Sequence, residues 1–237
     1  MSKMFYHCGS LQSMDISTWN LENLELMEGT FSNCKKLKEI KFPENFTAAK
    51  NMSNVFYNCW SLEEIDFSNW NTEKTEDISN MLSGCEKLKI ILYNPEKTYF
   101  ENAVNLERTF SGCKSLEELD LSQWNADFAE NMKGIFSSCP KLKQITFAEK
   151  FGIAVKDLSE AFKGCESLEY VDISNFYLEN VKNISGFFNG CKNLKYVEMP
   201  KSNPTIAQNS LDEVFVGCPN LDYVDLLFLY QLQKITL

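Results

Sequence analysis

The chain has 237 residues, 44% of them hydrophobic, with 33 acidic against 23 basic side chains and a formal net charge of −10. That balance argues against nucleic acid or an anionic membrane surface as a general partner. No apolar run of about 20 residues is present to insert into a membrane, and one histidine with no glycine-rich phosphate loop leaves little from which to build an active site or hold a cofactor.

Nine cysteines, Cys8, Cys34, Cys59, Cys85, Cys113, Cys139, Cys165, Cys191 and Cys218, recur every 25 to 28 residues. A fixed period in the twenties predicts a solenoid in which each repeat stacks on the next. Residues 1–237 therefore read as one elongated domain of nine coils, with 227–237 as an apolar closing segment. The first predicted element of each coil is a short helix. Met1, Met4, Phe5 and Cys8 begin a pattern seven, four, three and zero residues before the cysteine, continued by Met27, Thr30, Phe31 and Cys34 and by Met52, Val55, Phe56 and Cys59. These offsets trace one helical face. Asn51, Asp77, Asn105, Asn131, Asp157, Asn183 and Ser210 stand at the N-cap position. Gly84, Gly112, Gly164, Gly190 and Gly217, with Asn33 and Asn58, suit the left-handed residue that closes a helix. Such a helix has about two turns and depends on its neighbours.

The second predicted element is a strand. Leu occurs three residues after every cysteine, and branched or aromatic residues follow at six and eight, as in Leu62, Ile65 and Phe67. The last two alternate as a strand with one buried face does, so the strands stack into one parallel sheet. After the strand the coils differ in turn. The first, third, fifth and seventh carry Asp-x-Ser-x-aromatic (Asp15 to Trp19, Asp66 to Trp70, Asp120 to Trp124, Asp172 to Phe176). The even coils replace it with sequences around Pro43, Pro95, Ala148 and Pro200. The structural unit is thus a pair of coils, about 52 residues long. Trp19, Trp70 and Trp124 read as cover for the edge of the core, with an aromatic recognition row as the other reading. The Asp row reads as solvated turn carboxylates.

Four residues after the cysteine stand Lys38, Glu63, Lys89, Glu117, Lys143, Glu169, Lys195 and Asp222, strictly alternating in sign. In a register-matched sheet this row sets unlike charges side by side along the solenoid. Five residues after the last three cysteines come Tyr170, Tyr196 and Tyr223. They make either a partner-binding patch or a stabilising cross-strand stack, and Asp172, Glu198 and Asp225 beside them would bias such a patch toward a basic partner.

The cysteines themselves read as a structural ladder of free thiols, each a small buried hydrophobe. Their number is odd, no Cys-x-x-Cys occurs, and His7 is the only histidine, so disulfides and a metal site fit less well. Reduced thiols favour a cytosolic or anaerobic setting, and the N-terminal residues show no secretory signal. The glycosylation-type sequences at Asn45, Asn51 and Asn183 weigh little, since two of them already serve as caps.

The Leu-x-x-Ile-x-Phe strand and the Met-x-x-x-Phe-x-x-Cys segment, seen best between Met52 and Cys85, resemble the BspA-like leucine-rich repeat family, from Met1 to about Leu226. The resemblance implies an α/β leucine-rich-repeat solenoid, with a parallel sheet on one face and short helices on the other. It also implies a cell-surface protein that binds other proteins. The sequence is accordingly expected to form a non-enzymatic protein–protein interaction module, binding through its strand face. A structural rod that self-associates end to end, and an intracellular acidic inhibitor of a basic protein, are the alternatives. The expected setting is the cell surface by resemblance, the cytoplasm by the lack of a signal and the free thiols.

Overall fold

Two residues in every coil hold a left-handed backbone, and they decide what the repeat can be. In the computed structural model, which describes residues 1–200 and 211–224, positive φ falls five residues and one residue before each cysteine. Gly29 and Asn33, Asn54 and Asn58, Asn80 and Gly84, Arg108 and Gly112 are examples. A right-handed helix does not tolerate such residues every fourth position. Accordingly, the expected helices are absent: among the described residues there is no helix, and the segment before each cysteine is a ribbon of consecutive turns.

The backbone hydrogen bonds explain the ribbon. Thr30 and Cys34 donate N–H to the carbonyls of Met27 and Phe31, three residues back, at 3.0 and 3.1 Å. With positive φ at Gly29 and Asn33, this is the pattern of type II turns. The alternate residues Met27, Gly29, Phe31 and Asn33 donate instead to Asn51, Ser53, Val55 and Tyr57 of the next coil, at 2.9, 2.8, 2.9 and 2.6 Å. A helix would spend every N–H within its own coil; the ribbon spends half of them joining coils. Two successive four-residue turns also bring the offsets seven, four, three and zero inward, so Met52, Val55, Phe56 and Cys59 are buried as expected although the element differs. The expected N-caps head turns instead: the Asn51 and Asp77 Oδ1 atoms accept the N–H of Ser53 and Ser79 at 2.8 and 2.9 Å. Ser210 lies outside the described residues.

The strands are β1 (Ser13–Asp15), β2 (Glu39–Lys41), β3 (Glu64–Asp66), β4 (Ile90–Leu92), β5 (Glu118–Leu121), β6 (Gln144–Phe147), β7 (Tyr170–Asp172), β8 (Tyr196–Glu198) and β9 (Tyr223–Val224). They bracket about eight turns of a parallel β-solenoid rather than nine helix-bearing coils. Nor do they form the single continuous sheet expected. β1 pairs with β2, β3 with β4, β5 with β6, and β7 with β8 and β9, all parallel and in register, and the sheet is interrupted at β2/β3, β4/β5 and β6/β7. At those three steps the loops pair instead, through bridges Thr47–Asn71, Tyr99–Trp124 and Phe151–Phe176. The ribbon bridges run on through every step from Leu26 to Asn183.

Beside each interruption a ring trio fills the corner. Trp70 sits 4.8 Å from both Phe42 and Phe46, and Phe176 sits 4.8 and 5.1 Å from Phe147 and Phe151. Trp124 joins Tyr93 and Phe100 at 6.4 and 4.5 Å. Trp70 and Trp124 are buried and Trp19 is half-buried, so these rings belong to the core and not to a recognition row. The two-coil period of the sequence is thus a physical unit through the first seven coils, where strand ladders join odd to even coils and ring trios with loop bridges join even to odd; the last step, β8 to β9, is again a strand ladder.

Candidate interaction surface

The exposed side of the strands is a surface that every coil leaves available. Residues five and seven after each cysteine point outward, because a three-residue strand buries only its middle side chain. On β7, β8 and β9, Tyr170 pairs in register with Tyr196, and Tyr196 with Tyr223. The rings stack at 5.5 Å and 3° between the first two, and at 5.6 Å and 20° between the second two. Tyr170 and Tyr223 are 48% and 54% exposed, and Tyr196 between them is half-buried. Two residues on along the same face stand Asp172 and Glu198. The Tyr196 hydroxyl donates to Glu198 Oε2 at 2.7 Å, and that bond, with burial, pushes the phenol up to about 12. Asp172 Oδ1 accepts the Ser174 N–H at 2.9 Å. Asp225 lies outside the described residues.

The alternating charge row is paired only within coil pairs. Lys89 reaches Glu63 at 3.2 Å, Lys143 reaches Glu117 at 2.7 Å, and Lys195 reaches Glu169 at 2.8 Å. Among the described residues no such pair crosses an interruption in the sheet. The expected unbroken row is therefore three separate pairs, because unlike charges meet only where the strands themselves meet.

Each interruption is a seam whose floor is core. Ile40 and Phe42, Ile91 and Tyr93, and Ile145 and Phe147 are half-buried. Their counterparts Ile65 and Phe67, Leu119 and Leu121, and Val171 and Ile173 on the odd coils are buried. At β2/β3 the seam is a cavity of about 680 Å³, with Ile40, Phe42 and Ile65 in its wall and Glu64 and Asp66 on one lip. The sequence pattern did not indicate these openings, since both coil types carry apolar residues at the same two positions.

The cysteine ladder closes the turn ribbon, five residues before each strand. Cys34, Cys59, Cys85, Cys113, Cys139, Cys165 and Cys191 are buried free thiols, Cys218 is half-buried and Cys8 exposed. Each sulfur from Cys34 onward donates to the carbonyl three residues before the preceding cysteine, as Cys59 to Phe31 and Cys165 to Phe136, both at 3.2 Å. The Phe31 carbonyl already accepts the Cys34 N–H at 3.1 Å, so there the Cys59 thiol takes the second lone pair. Burial pushes Cys34 up to about 11 and Cys139 and Cys191 up to about 12, which keeps them protonated. Among the described residues no cluster of His, Cys, Asp and Glu has the arrangement of a metal site, and no helix is long and apolar enough to cross a membrane.

These features define a parallel β-solenoid of the leucine-rich-repeat type. Residues 1–99, 50–148 and 104–222 each match the family described as "Mycoplasma protein of unknown function, DUF285". The chain belongs to that family, and its repeats are of the BspA-like leucine-rich kind. Its fold is similar to that of a leucine rich cell surface protein from Faecalibacterium prausnitzii A2-165, at 22% identity and a TM-score of 0.50 over 93% of this chain. The chain spans 61% of that protein's length. A leucine-rich repeat protein from Bacteroides ovatus (18% identity, 93% of this chain and 80% of that one, TM-score 0.31) is also similar. So is the leucine-rich repeat protein of T. pallidum (21% identity, 100% of this chain and 75% of that one, TM-score 0.34). No curated protein sequence matches.

Proposed function

We propose that this chain is a non-enzymatic interaction module that binds a protein partner through its strand face, with Tyr170, Tyr196 and Tyr223 as the energetic centre. The observation that carries the reading is the exposed in-register stack of three tyrosines. Tyrosine contributes a large contact area for little entropy loss, and three rings already held parallel lose less still on binding. Asp172 and Glu198 on the same face, with Asp225 following in sequence, select a basic partner surface. A cell-surface setting belongs to the same proposal and is supported by the Faecalibacterium protein, which is described as one; cleavage by protease added to intact cells tests it.

The binding reading is tested by titrating a captured partner against the wild-type chain and the variant Tyr170→Ser/Tyr196→Ser/Tyr223→Ser, with circular dichroism as the fold control. Loss of affinity of at least about a hundredfold is expected for three hot-spot side chains. Unchanged affinity in a folded variant contradicts the site.

A further inference from the structure

The seams at β2/β3, β4/β5 and β6/β7 repeat every second coil and share one chemistry. Each has an apolar floor from the even coil: Ile40 and Phe42, then Ile91 and Tyr93, then Ile145 and Phe147, all half-buried. Each has an acidic lip from the following odd coil: Glu64 and Asp66, then Glu118 and Asp120, and at the third seam Asp172 beside Tyr170. Among the described residues none of these carboxylates enters an ion pair, because the nearest glutamates, Glu63, Glu117 and Glu169, already hold the lysines. Lys89 and Lys143 are drawn back to the preceding strand and away from the seam that follows them. The first seam also has Lys38 and Lys41 in its wall, Lys41 being paired with Glu39 of its own strand at 3.6 Å.

A cleft with an apolar floor and an anionic lip fits a side chain with an apolar stem and a cationic head, that is, lysine or arginine. We infer that the three seams together receive an extended basic segment that runs along the solenoid axis and carries a cation at every third residue. The spacing supports this. Two coils of a parallel sheet advance about 9.6 Å, and three residues of a polyproline II strand advance about 9.3 Å with their side chains on one side. The third seam opens onto the tyrosine stack, so such a segment would leave it across Tyr170, whose ring face can take a further cation. The inference rests on the strand face being the interaction surface, but not on the tyrosines.

Three synthetic peptides with equal charge separate spacing from charge. One carries lysines at every third residue with prolines between (Lys-Pro-Pro-Lys-Pro-Pro-Lys), one at every second and one at every fourth, all with blocked ends, titrated against the full chain at low and moderate salt. The every-third peptide is expected to bind roughly tenfold tighter than either comparison peptide, as for register-matched charges. The variant Glu64→Gln/Glu118→Gln, whose side chains lie on exposed strand positions, is expected to lose that preference while keeping its unfolding midpoint. Equal binding of all three peptides, or tightest binding by the densest one, overturns the seams as sites. A Tyr196→Ser/Tyr223→Ser variant keeps the first two seams, so persistence of the spacing preference there, with loss of partner capture, distinguishes the seam site from the tyrosine site. Loss of the preference in that variant also overturns the seam assignment.

Discussion

Cysteine is used here for what a methyl group lacks. From Cys34 to Cys191 the thiol fills a buried slot and also donates to a carbonyl of the preceding coil, as Cys191 does to Phe162 at 3.1 Å. The expectation of a ladder of small hydrophobes captured the packing but not this bond, because sequence periodicity does not reveal which carbonyl faces a side chain. The buried thiols also make stability depend on pH. Their folded values lie above the ordinary 9.0, reaching about 11 for Cys34 and about 12 for Cys139 and Cys191. Below pH 9 both folded and unfolded states hold the protons and nothing is lost. Above it the unfolded chain ionises first, so stability falls toward pH 11 to 12, by up to about 1.4 kcal/mol per pH unit for each thiol. Urea midpoints measured under reducing conditions are expected to drop steeply between pH 9 and 11, and less so in Cys139→Ala; a flat profile contradicts the assignment. Two serines give a second test. Ser53 Oγ donates to Asn51 at 2.7 Å, whereas Ser159 Oγ is buried with no hydrogen-bond partner. Ser53→Ala is expected to lose about 1 kcal/mol, and Ser159→Ala to be neutral or to gain a similar amount. Equal losses in thermal unfolding would contradict the hydrogen-bond assignment.

The turn ribbon shows how far the sequence can be read and where it misleads. Its inward columns were legible, since apolar residues recur at the same offsets in every coil. Its type was not, because two type II turns in series share the spacing of two helical turns; Arg108 and Glu160 hold positive φ at positions where no glycine signals it. One contact makes the ribbon testable. At Gly84 (φ +74°) an added Cβ would collide with the Asn58 amide of the preceding coil, which itself donates to Asn33 Oδ1 at 3.2 Å. Gly84→Ala is therefore expected to cost more than the about 1–2 kcal/mol of a left-handed alanine alone. In a double-mutant cycle Asn58→Gly should recover the collision part and leave the backbone part. Additive losses would contradict the stacked geometry. The salt bridges matter less: exposed pairs such as Lys143–Glu117 are screened by water, and their value is register.

Up to the seventh coil the molecule is a stack of coil pairs, joined within a pair by strand ladders and between pairs by rings and loop bridges, and its last three coils share one ladder. The alternating loops announced that period, but the place where the sheet opens depends on how the three rings of each corner pack, which no single column reveals. The proposed function rests on surface alone, on three adjacent tyrosines and an acidic strand face, because this fold sets a scaffold and leaves its ligand to exposed positions. The coil pair can be tested at the backbone. The N–H groups of Lys38, Lys89, Lys143 and Lys195 donate to Gln12, Glu63, Glu117 and Glu169 of the preceding odd coils at 2.8, 2.9, 2.8 and 2.9 Å. The equivalent N–H groups of Glu63, Glu117 and Glu169, which follow a seam, have no such acceptor among the described residues. Native-state amide hydrogen exchange resolved to single residues should therefore alternate, slow at the four lysines and fast at the three glutamates. Uniform protection along the column would mean one continuous sheet and would contradict both the seams and the coil pair.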